Sequence, residues 1–242
     1  GYTFQNKNFG KFSDITTNSM YASHIITGAG FGGIVCFNDK KLYDHAKLLR
    51  GWGRSSAVFN ESEGIKVRFS KKVDGIPYDG KYIFSEMGYN FLPSEISAAF
   101  ALEQLKKLKK NINTRRKNFE KINAYFKKYE NLFILPTQFK HLKTGWLAYP
   151  LIIRKPNLIK RSLLQIFLEK NNIQTRTIFT GNILRQPIMK KKNYKKCKDS
   201  HVNSDNIMKN GLLIGCHHGL TQKDIKFMLS KFDKFLLNYR FN

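Results

Sequence analysis

Residues 19–37 constrain the fold of this chain more than any other stretch. Ser19-Met20-Tyr21-Ala22-Ser23-His24-Ile25-Ile26-Thr27 runs into the glycine-rich Gly28-Ala29-Gly30-Phe31-Gly32-Gly33, then into the apolar Ile34-Val35-Cys36-Phe37. Small residues surround one titratable side chain, His24. The glycines permit a tight turn and let the backbone approach a flat ligand closely. The apolar run that leaves the turn reads as a buried strand. A lone histidine in a loop is most often structural or solvated, so the imidazole by itself assigns no chemistry.

The rest of the pattern alternates helix and strand. A helix is expected over Lys40 to Arg50, and residues 55–87 lack clear periodicity and read as an irregular excursion. Pro93 and Ser94 open a helix, with Ser94 a possible cap and Glu95 favourable at its positive end. Ala98, Leu102, Leu105 and Ile112 keep helical spacing along it, and Phe119, Ile122, Phe126 and Tyr129 mark another amphipathic helix. Trp146 to Ile153 is strand-like, Leu158 to Lys170 helical and Ile173 to Phe179 extended. A short helix precedes Gly211 and leads into Leu212-Leu213-Ile214. The last helix starts at Thr221, with Asp224 as capping-box partner, and should bury Ile225, Leu229, Phe232 and Leu236. This is an α/β chain.

Composition narrows the class. With 242 residues and 41% hydrophobic content the chain can build a proper core. No apolar run approaches the ~18 residues that span a bilayer, and nothing resembles a signal peptide. Cys36, Cys197 and Cys216 are too few and too scattered for a disulfide framework or a Cys-x-x-Cys metal site, which fits a reducing, cytoplasmic setting. The formal charge of +26 raises a second class of reading, a basic nucleic-acid-binding module. Its densest cluster is Lys190-Lys191-Lys192 with Lys195, Lys196 and Lys198. No aromatic-rich RNA-binding motif or zinc finger accompanies it. Lysine-rich solvated helix faces explain the charge better, and such a field would still draw in a small anionic ligand.

The framing of His24 carries more. Ser-aromatic-Tyr/Phe-x-x-Lys, then a glycine-rich turn and a strand, is the pattern of the DegT/StrS family of sugar aminotransferases. Residues 19–37 resemble it, with Met20 in place of the aromatic and His24 at the position of the cofactor-binding lysine. Arg50-Gly51-Trp52-Gly53-Arg54 is similar to the branch acting on CDP-sugars. Gly75-Ile76-Pro77-Tyr78-Asp79-Gly80-Lys81-Tyr82 and Gly88-Tyr89-Asn90 follow in the expected order. Thr180-Gly181-Asn182-Ile183-Leu184-Arg185-Gln186-Pro187 resembles the lysine-to-histidine 3-dehydratase branch. His217-His218-Gly219-Leu220-Thr221 is similar to the late loop of the family. Each motif alone is weak, and their shared order is specific.

The resemblance implies a fold. It is the C-terminal part of a large pyridoxal-phosphate-transferase domain of fold type I (residues 1–112) plus a complete small α/β domain (113–242). The cofactor phosphate turn and the aspartate that pairs with the pyridine nitrogen would both precede Gly1, so a fragment or processed chain is expected. The implied activity is C3 dehydration of a nucleotide-linked 4-keto-6-deoxyhexose in deoxysugar and lipopolysaccharide biosynthesis. It would use pyridoxal or pyridoxamine 5'-phosphate, an amino donor such as glutamate, and a homodimer. A sugar aminotransferase relative without its lysine is the alternative enzyme.

The implied roles fall on named residues. His24 cannot form the stable covalent link that a lysine makes, so the cofactor can remain a free amine while an imidazole serves as base near neutral pH. Ser19 and Asn90 would contact the cofactor phosphate, Asn90 across the dimer interface, although Leu92 stands where many relatives have Arg or Lys. Asn182, Arg185, His217, Tyr82 and Arg54 are the substrate-side candidates. Arg185 suits a bidentate oxyanion contact and reads equally well as a surface arginine. A metal pair at His217 and His218 is discounted, because no acidic ligand lies near in sequence. Some relatives carry an iron–sulfur cluster, but Ser55 to Asp74 contains no cysteine to ligate one. The missing thiols favour hydrolysis of the dehydrated product and regeneration by an amino acid. The CDP-type motif favours a reductase partner. The sequence leaves both open.

Overall fold

A side-chain cap at Asp39 starts the first long helix of this chain. In the computed structural model, which describes residues 3–22, 24–60, 62–195 and 200–237, the Asp39 carboxylate accepts the Leu42 N–H at 2.8 Å and starts α1 (Lys40–Arg50). Gly51 ends it. The chain divides into two compact units, Lys7–Leu108 and Lys109–Asn242 with Gly1–Asn6.

In the first unit, β1 (Ile15–Ser19) and β2 (Gly33–Phe37) form an antiparallel ribbon in which Ser19 pairs with Gly33 and Ile15 with Phe37. The buried strand expected over Ile34–Phe37 is therefore a strand but not a buried one. Ile34 is 45% and Val35 52% exposed, because α1 and residues 98–105 cover this two-stranded ribbon only in part. The excursion expected over 55–87 is more regular than its sequence suggests. It holds α2 (Ile65–Phe69) and a hairpin of β3 (Lys71–Val73) and β4 (Ile76–Tyr78) turned at Asp74-Gly75, both with positive φ. Arg68 clamps this region by donating to both carboxylate oxygens of Asp79.

Where the spacing suggests two helices, the structure has one. Helix α3 runs for 32 residues over Glu95–Phe126, its residues from Lys109 belonging to the second unit. The stretch between the two apolar stripes, Asn113 to Asn118, contains no Gly or Pro, so nothing there breaks the backbone ladder. The phase of the stripe is continued by polar side chains, Arg115 and Asn118, which are themselves buried.

The second unit carries the core. Its sheet has the order β7 (Thr175–Arg176), β8 (Gly211–Ile214), β6 (Tyr149–Ile153), β5 (Phe133–Ile134), antiparallel throughout. Tyr149, Leu151 and Ile153 alternate onto one fully buried face, as the two-residue period of a strand requires. Phe119, Ile122 and Phe126 of α3, Leu164 and Leu168 of α4 (Arg161–Lys170), and Ile225, Met228, Phe232 and Leu236 of α6 (Gln222–Leu236) belong to the same core. Helix α5 (Val202–Asn210) packs against β6 and β8. Thr221 and Asp224 form the expected reciprocal capping box at the start of α6, with bonds of 3.2 and 2.7 Å. Leu229 is only partly buried. Lys190, Lys191, Lys192 and Lys195 are exposed, while Lys196, Cys197 and Lys198 lie outside the described residues. No helix among the described residues is long and apolar enough to cross a membrane.

Phe232 has no exposed surface and meets Phe126 edge to face, with ring centroids 4.9 Å apart. Phe232→Ala is expected to cost about 3–5 kcal/mol, read as a lower urea midpoint with an unchanged slope. A loss below about 1 kcal/mol would mean that the core closes over the site, or that this ring is not its centre.

Candidate active site

The turn that carries His24 is built from its backbone. Strand β1 ends at Ser19. Met20, 8% exposed, then turns inward, its N–H donating to Gly32 O and its carbonyl accepting from Gly28 N, both at 2.9 Å. A β-carbon on Gly28 would collide with the Phe31 carbonyl oxygen, so this closure requires glycine. Ala29, Gly30 and Gly32 take positive φ around the loop before the chain re-enters β2. Met20, at the position the sequence pattern gives to an aromatic, is the buried anchor of the loop. It lines an apolar pocket of about 210 Å³ with Ile26, Ile34, Ala98, Ala101 and Leu105.

His24 is half-buried within this frame. Its Nδ1 lies 3.1 Å from the Ser19 carbonyl oxygen, and its ring meets Tyr21 edge-on at 6.2 Å between centroids. A carbonyl can only accept, so the neutral imidazole carries its proton on Nδ1 and keeps a lone pair on Nε2. The Ser19 hydroxyl accepts the Tyr21 N–H at 3.3 Å, and its own proton remains available to an acceptor. One turn thus presents an imidazole lone pair at Nε2 and a hydroxyl donor from residues five apart in sequence.

Two further loops of the same unit cross at glycines. A β-carbon on Gly53 would overlap the Glu86 carbonyl, and one on Gly88 would overlap the Gly53 nitrogen. The crossing pairs Gly51 with Asn90 in an antiparallel bridge and Arg54 with Phe84 in another. Asn90 is exposed there. Arg54 and Tyr82 are brought together, the guanidinium lying 5.4 Å from the tyrosine ring centre.

In the second unit, Asn182 and Arg185 converge on one residue that the sequence reading missed, Asp205 of α5. Asn182 is buried. It caps its own short turn through Leu184 N and donates to Asp205 Oδ1 at 2.7 Å. Arg185 grips both oxygens of the same carboxylate, at 3.0 and 2.6 Å. No local signal links positions 182, 185 and 205 in the sequence. Arg115 was missed too, although a cation in the phase of an apolar helix stripe is a legible sign of a satisfied buried charge. It is 3% exposed and donates to the carbonyls of Trp146 and Leu147 and to His218 Nδ1. His217 Nδ1 accepts the Gly219 N–H, and the His217 carbonyl accepts from Asn118. Both imidazoles therefore keep their protons on Nε2. Burial first, then the Arg115 charge, pushes both below the ordinary histidine range. Burial also raises the Cys216 thiol to about 12.

Comparison with known proteins places this geometry. The family model described as the DegT/DnrJ/EryC1/StrS aminotransferase family matches residues 1–233. The lipopolysaccharide biosynthesis protein RfbH of Salmonella typhimurium is 30% identical over 243 residues, covering 99% of this chain and 55% of its own length. The dTDP-4-dehydro-2,6-dideoxy-D-glucose 3-dehydratase of Saccharopolyspora spinosa is 31% identical over 239 residues, covering 98% and 51%. The E. coli GDP-4-keto-6-deoxy-D-mannose-3-dehydratase solved with bound hydrated PLP superposes with a TM-score of 0.78 at 29% identity, over 96% of this chain and 57% of that one. The chain belongs to the DegT/DnrJ/EryC1/StrS aminotransferase family and has its mixed α/β fold. It spans about half the length of the curated relatives it matches.

Asp205 is held well below the ordinary carboxylate range, first by Arg185 and then by Asn182. A carboxyl with a lower value folded than unfolded stabilises the fold above its unfolded value, about 4. That contribution disappears as pH falls through the folded value. Asp205→Asn should therefore unfold more readily than the parent above about pH 5, with the difference shrinking as pH drops below about 4. Urea melts across this range check it, and a difference that does not change with pH would show that ionisation of Asp205 contributes nothing to stability.

Proposed function

We propose that the protein is a pyridoxamine-phosphate-dependent 3-dehydratase of a nucleotide-linked 4-keto-6-deoxyhexose in deoxysugar and lipopolysaccharide biosynthesis. The observation that carries this reading is His24 at the family's lysine position, with Nδ1 on the Ser19 carbonyl and Nε2 left as base. The names of the relatives support it, although their nucleotides differ (dTDP in one, GDP in another). The nucleotide of this protein's substrate is therefore left unspecified. The two free cysteines among the described residues, Cys36 and Cys216, suit a reducing cytoplasm.

The residues present fit the cofactor. The Ser19 hydroxyl has an uncommitted proton for a phosphate oxygen, and the glycine turn leaves backbone rather than side chains beside it. Asn90, exposed on its loop, would reach the phosphate from a second copy of the chain. When bound, pyridoxamine phosphate supplies the amine that engages the 4-keto group and the ring that absorbs charge.

The chain's own part is proton handling. His24 has no primary amine to capture the cofactor, which keeps that amine free. Nε2 takes up the proton whose removal starts the loss of the C3 hydroxyl, and the same nitrogen, now protonated, is an acid for the departing oxygen. The Ser19 carbonyl steadies the imidazolium through Nδ1–H. Glutamate or another amino acid restores the amine form, a route that needs no cysteine-bound cluster in Ser55–Asp74.

His24→Asn should lower the dehydration rate of the protein about 10²- to 10⁴-fold while cofactor affinity survives, since no covalent link is lost. His24→Lys should instead bind the cofactor covalently and shift its visible absorbance. The assay supplies a nucleotide 4-keto-6-deoxyhexose, cofactor and glutamate, and follows the products by mass. An aminated sugar as the main product of the parent would reject the dehydratase in favour of an aminotransferase. An undiminished rate in His24→Asn would reject His24 as the base.

A further inference from the structure

Arg54 is used differently from Arg68, Arg115 and Arg185. Arg68 spends its donors on Asp79, Arg185 on Asp205, and Arg115 on two backbone carbonyls and an imidazole. The Arg54 guanidinium instead lies among three rings, 4.7 Å from the Trp52 ring centre, 5.4 Å from Tyr82 and 5.5 Å from Phe84. Its Nε is buried with no hydrogen-bond partner among the described residues, and no described carboxylate pairs with the group. A cation can be held over aromatic faces by their quadrupoles, but those faces do not use up the terminal N–H donors.

The backbone around this arginine is costly to build. Trp52 has φ 63° and Gly53 φ 75°. The left-handed region is unfavourable for a bulky residue and tends to survive where surrounding structure enforces it. Here the glycine crossing enforces it. Gly53 O accepts from Ser85 N and Glu86 N, Trp52 N donates to Tyr89 O, and Ser55 N donates to Ile83 O. The backbone that carries these rings is thereby fixed before any ligand arrives.

We propose that Arg54, oriented by Trp52, Tyr82 and Phe84, is a preorganised receptor for an oxyanion of the substrate, bound through its terminal nitrogens. This rests on the reading of the first unit as a substrate-binding part of a nucleotide-sugar enzyme, and it adds the chemical group that is read. A planar guanidinium fork fits a carboxylate or a phosphate oxygen pair. Two sources offer that chemistry, the diphosphate of the nucleotide sugar and the carboxylate of the amino donor. Aromatic caging in place of a protein carboxylate keeps the positive charge unneutralised, which is what an anion receptor requires.

Trp52 lies against the guanidinium, so its fluorescence reports occupancy. The 242-residue chain is titrated with inorganic pyrophosphate and, separately, with glutamate, at physiological salt so that the diffuse lysine field is screened. One of the two probes should change the tryptophan emission saturably, and which one identifies the source. Arg54→Met should weaken that probe at least about tenfold. Arg54→Lys keeps the charge but loses the fork, and should fall between the two. If Arg54→Met loses its far-UV circular dichroism, Arg54→Lys decides alone. Parental affinity in the folded variant, or no response to either probe, would overturn the proposal. Because the readout needs neither cofactor nor turnover, rejecting the dehydratase by its products would leave this result independent.

Discussion

Phe126 is the point through which the second unit is packed. Its ring meets Phe133 and Phe232 edge to face, stacks near-parallel on Tyr149, and stands against Tyr125 on its own helix, with centroid separations between 4.9 and 5.7 Å. One side chain thus ties α3 to two strands and to α6. Close-packed aromatic contacts of this kind tolerate little displacement. The face that α3 turns to the sheet is fixed by this residue. The polar residues further back in the helix, Arg115 and Asn118, are then delivered to the His217–His218 loop, and that loop has no secondary structure of its own to hold it.

Burying Arg115 and Asn118 is not free. A charge removed from water must be repaid by bonds to protein groups, and Arg115 finds them in the carbonyls of Trp146 and Leu147 just before β6 and in the imidazole of His218. The exchange gives the loop a defined geometry and His218 a defined tautomer, while the Gly219 N–H sets that of His217. In the first unit the same problem, holding a loop that bears functional side chains, is solved with glycines. Backbone crosses backbone at Gly28, Gly53 and Gly88, and His24, Asn90 and Arg54 follow from those crossings. The two units therefore stabilise their functional loops by different means, one with a buried cation, the other with missing β-carbons.

The order of helices and strands was legible because periodicity reports burial. The second stripe of α3, most of the stripe of α6 and the Thr221–Asp224 box are legible, whereas Leu102 and Leu105 keep helical spacing and are 58% and 51% exposed. Exposure of β2 did not, since an apolar run looks the same whether or not a second layer covers it. The single long α3 was read as two helices because Arg115 and Asn118 interrupt the apolar phase without interrupting the backbone. The candidate site divides in the same way. Ser19 and His24 were readable because one turn holds both, and Arg54 and Tyr82 because their motifs are recognisable separately. Asp205 was invisible: its partners at 182 and 185 are brought to it only by the packing of α5, and nothing local to Val202–Asn210 announces an ion pair.

Charge has two distinct functions in this chain. Lysines such as Lys190–Lys192 are exposed, where water and salt blunt each one. Their sum is a broad positive field, effective at drawing in anions and ineffective at orienting them. Arg54, Arg68, Arg115 and Arg185 lie where the fold has fixed their planes, against aromatic rings, carboxylates or carbonyls. Orientation needs donors at set angles, which a flexible ammonium does not provide and a caged guanidinium does. A chain of net charge +26 can therefore bind one anion with defined geometry. The field raises the local concentration of anions, and discrimination falls to the few cations whose directions are set, which is why the uncommitted donors of Arg54 matter more to recognition than the lysines that dominate the charge.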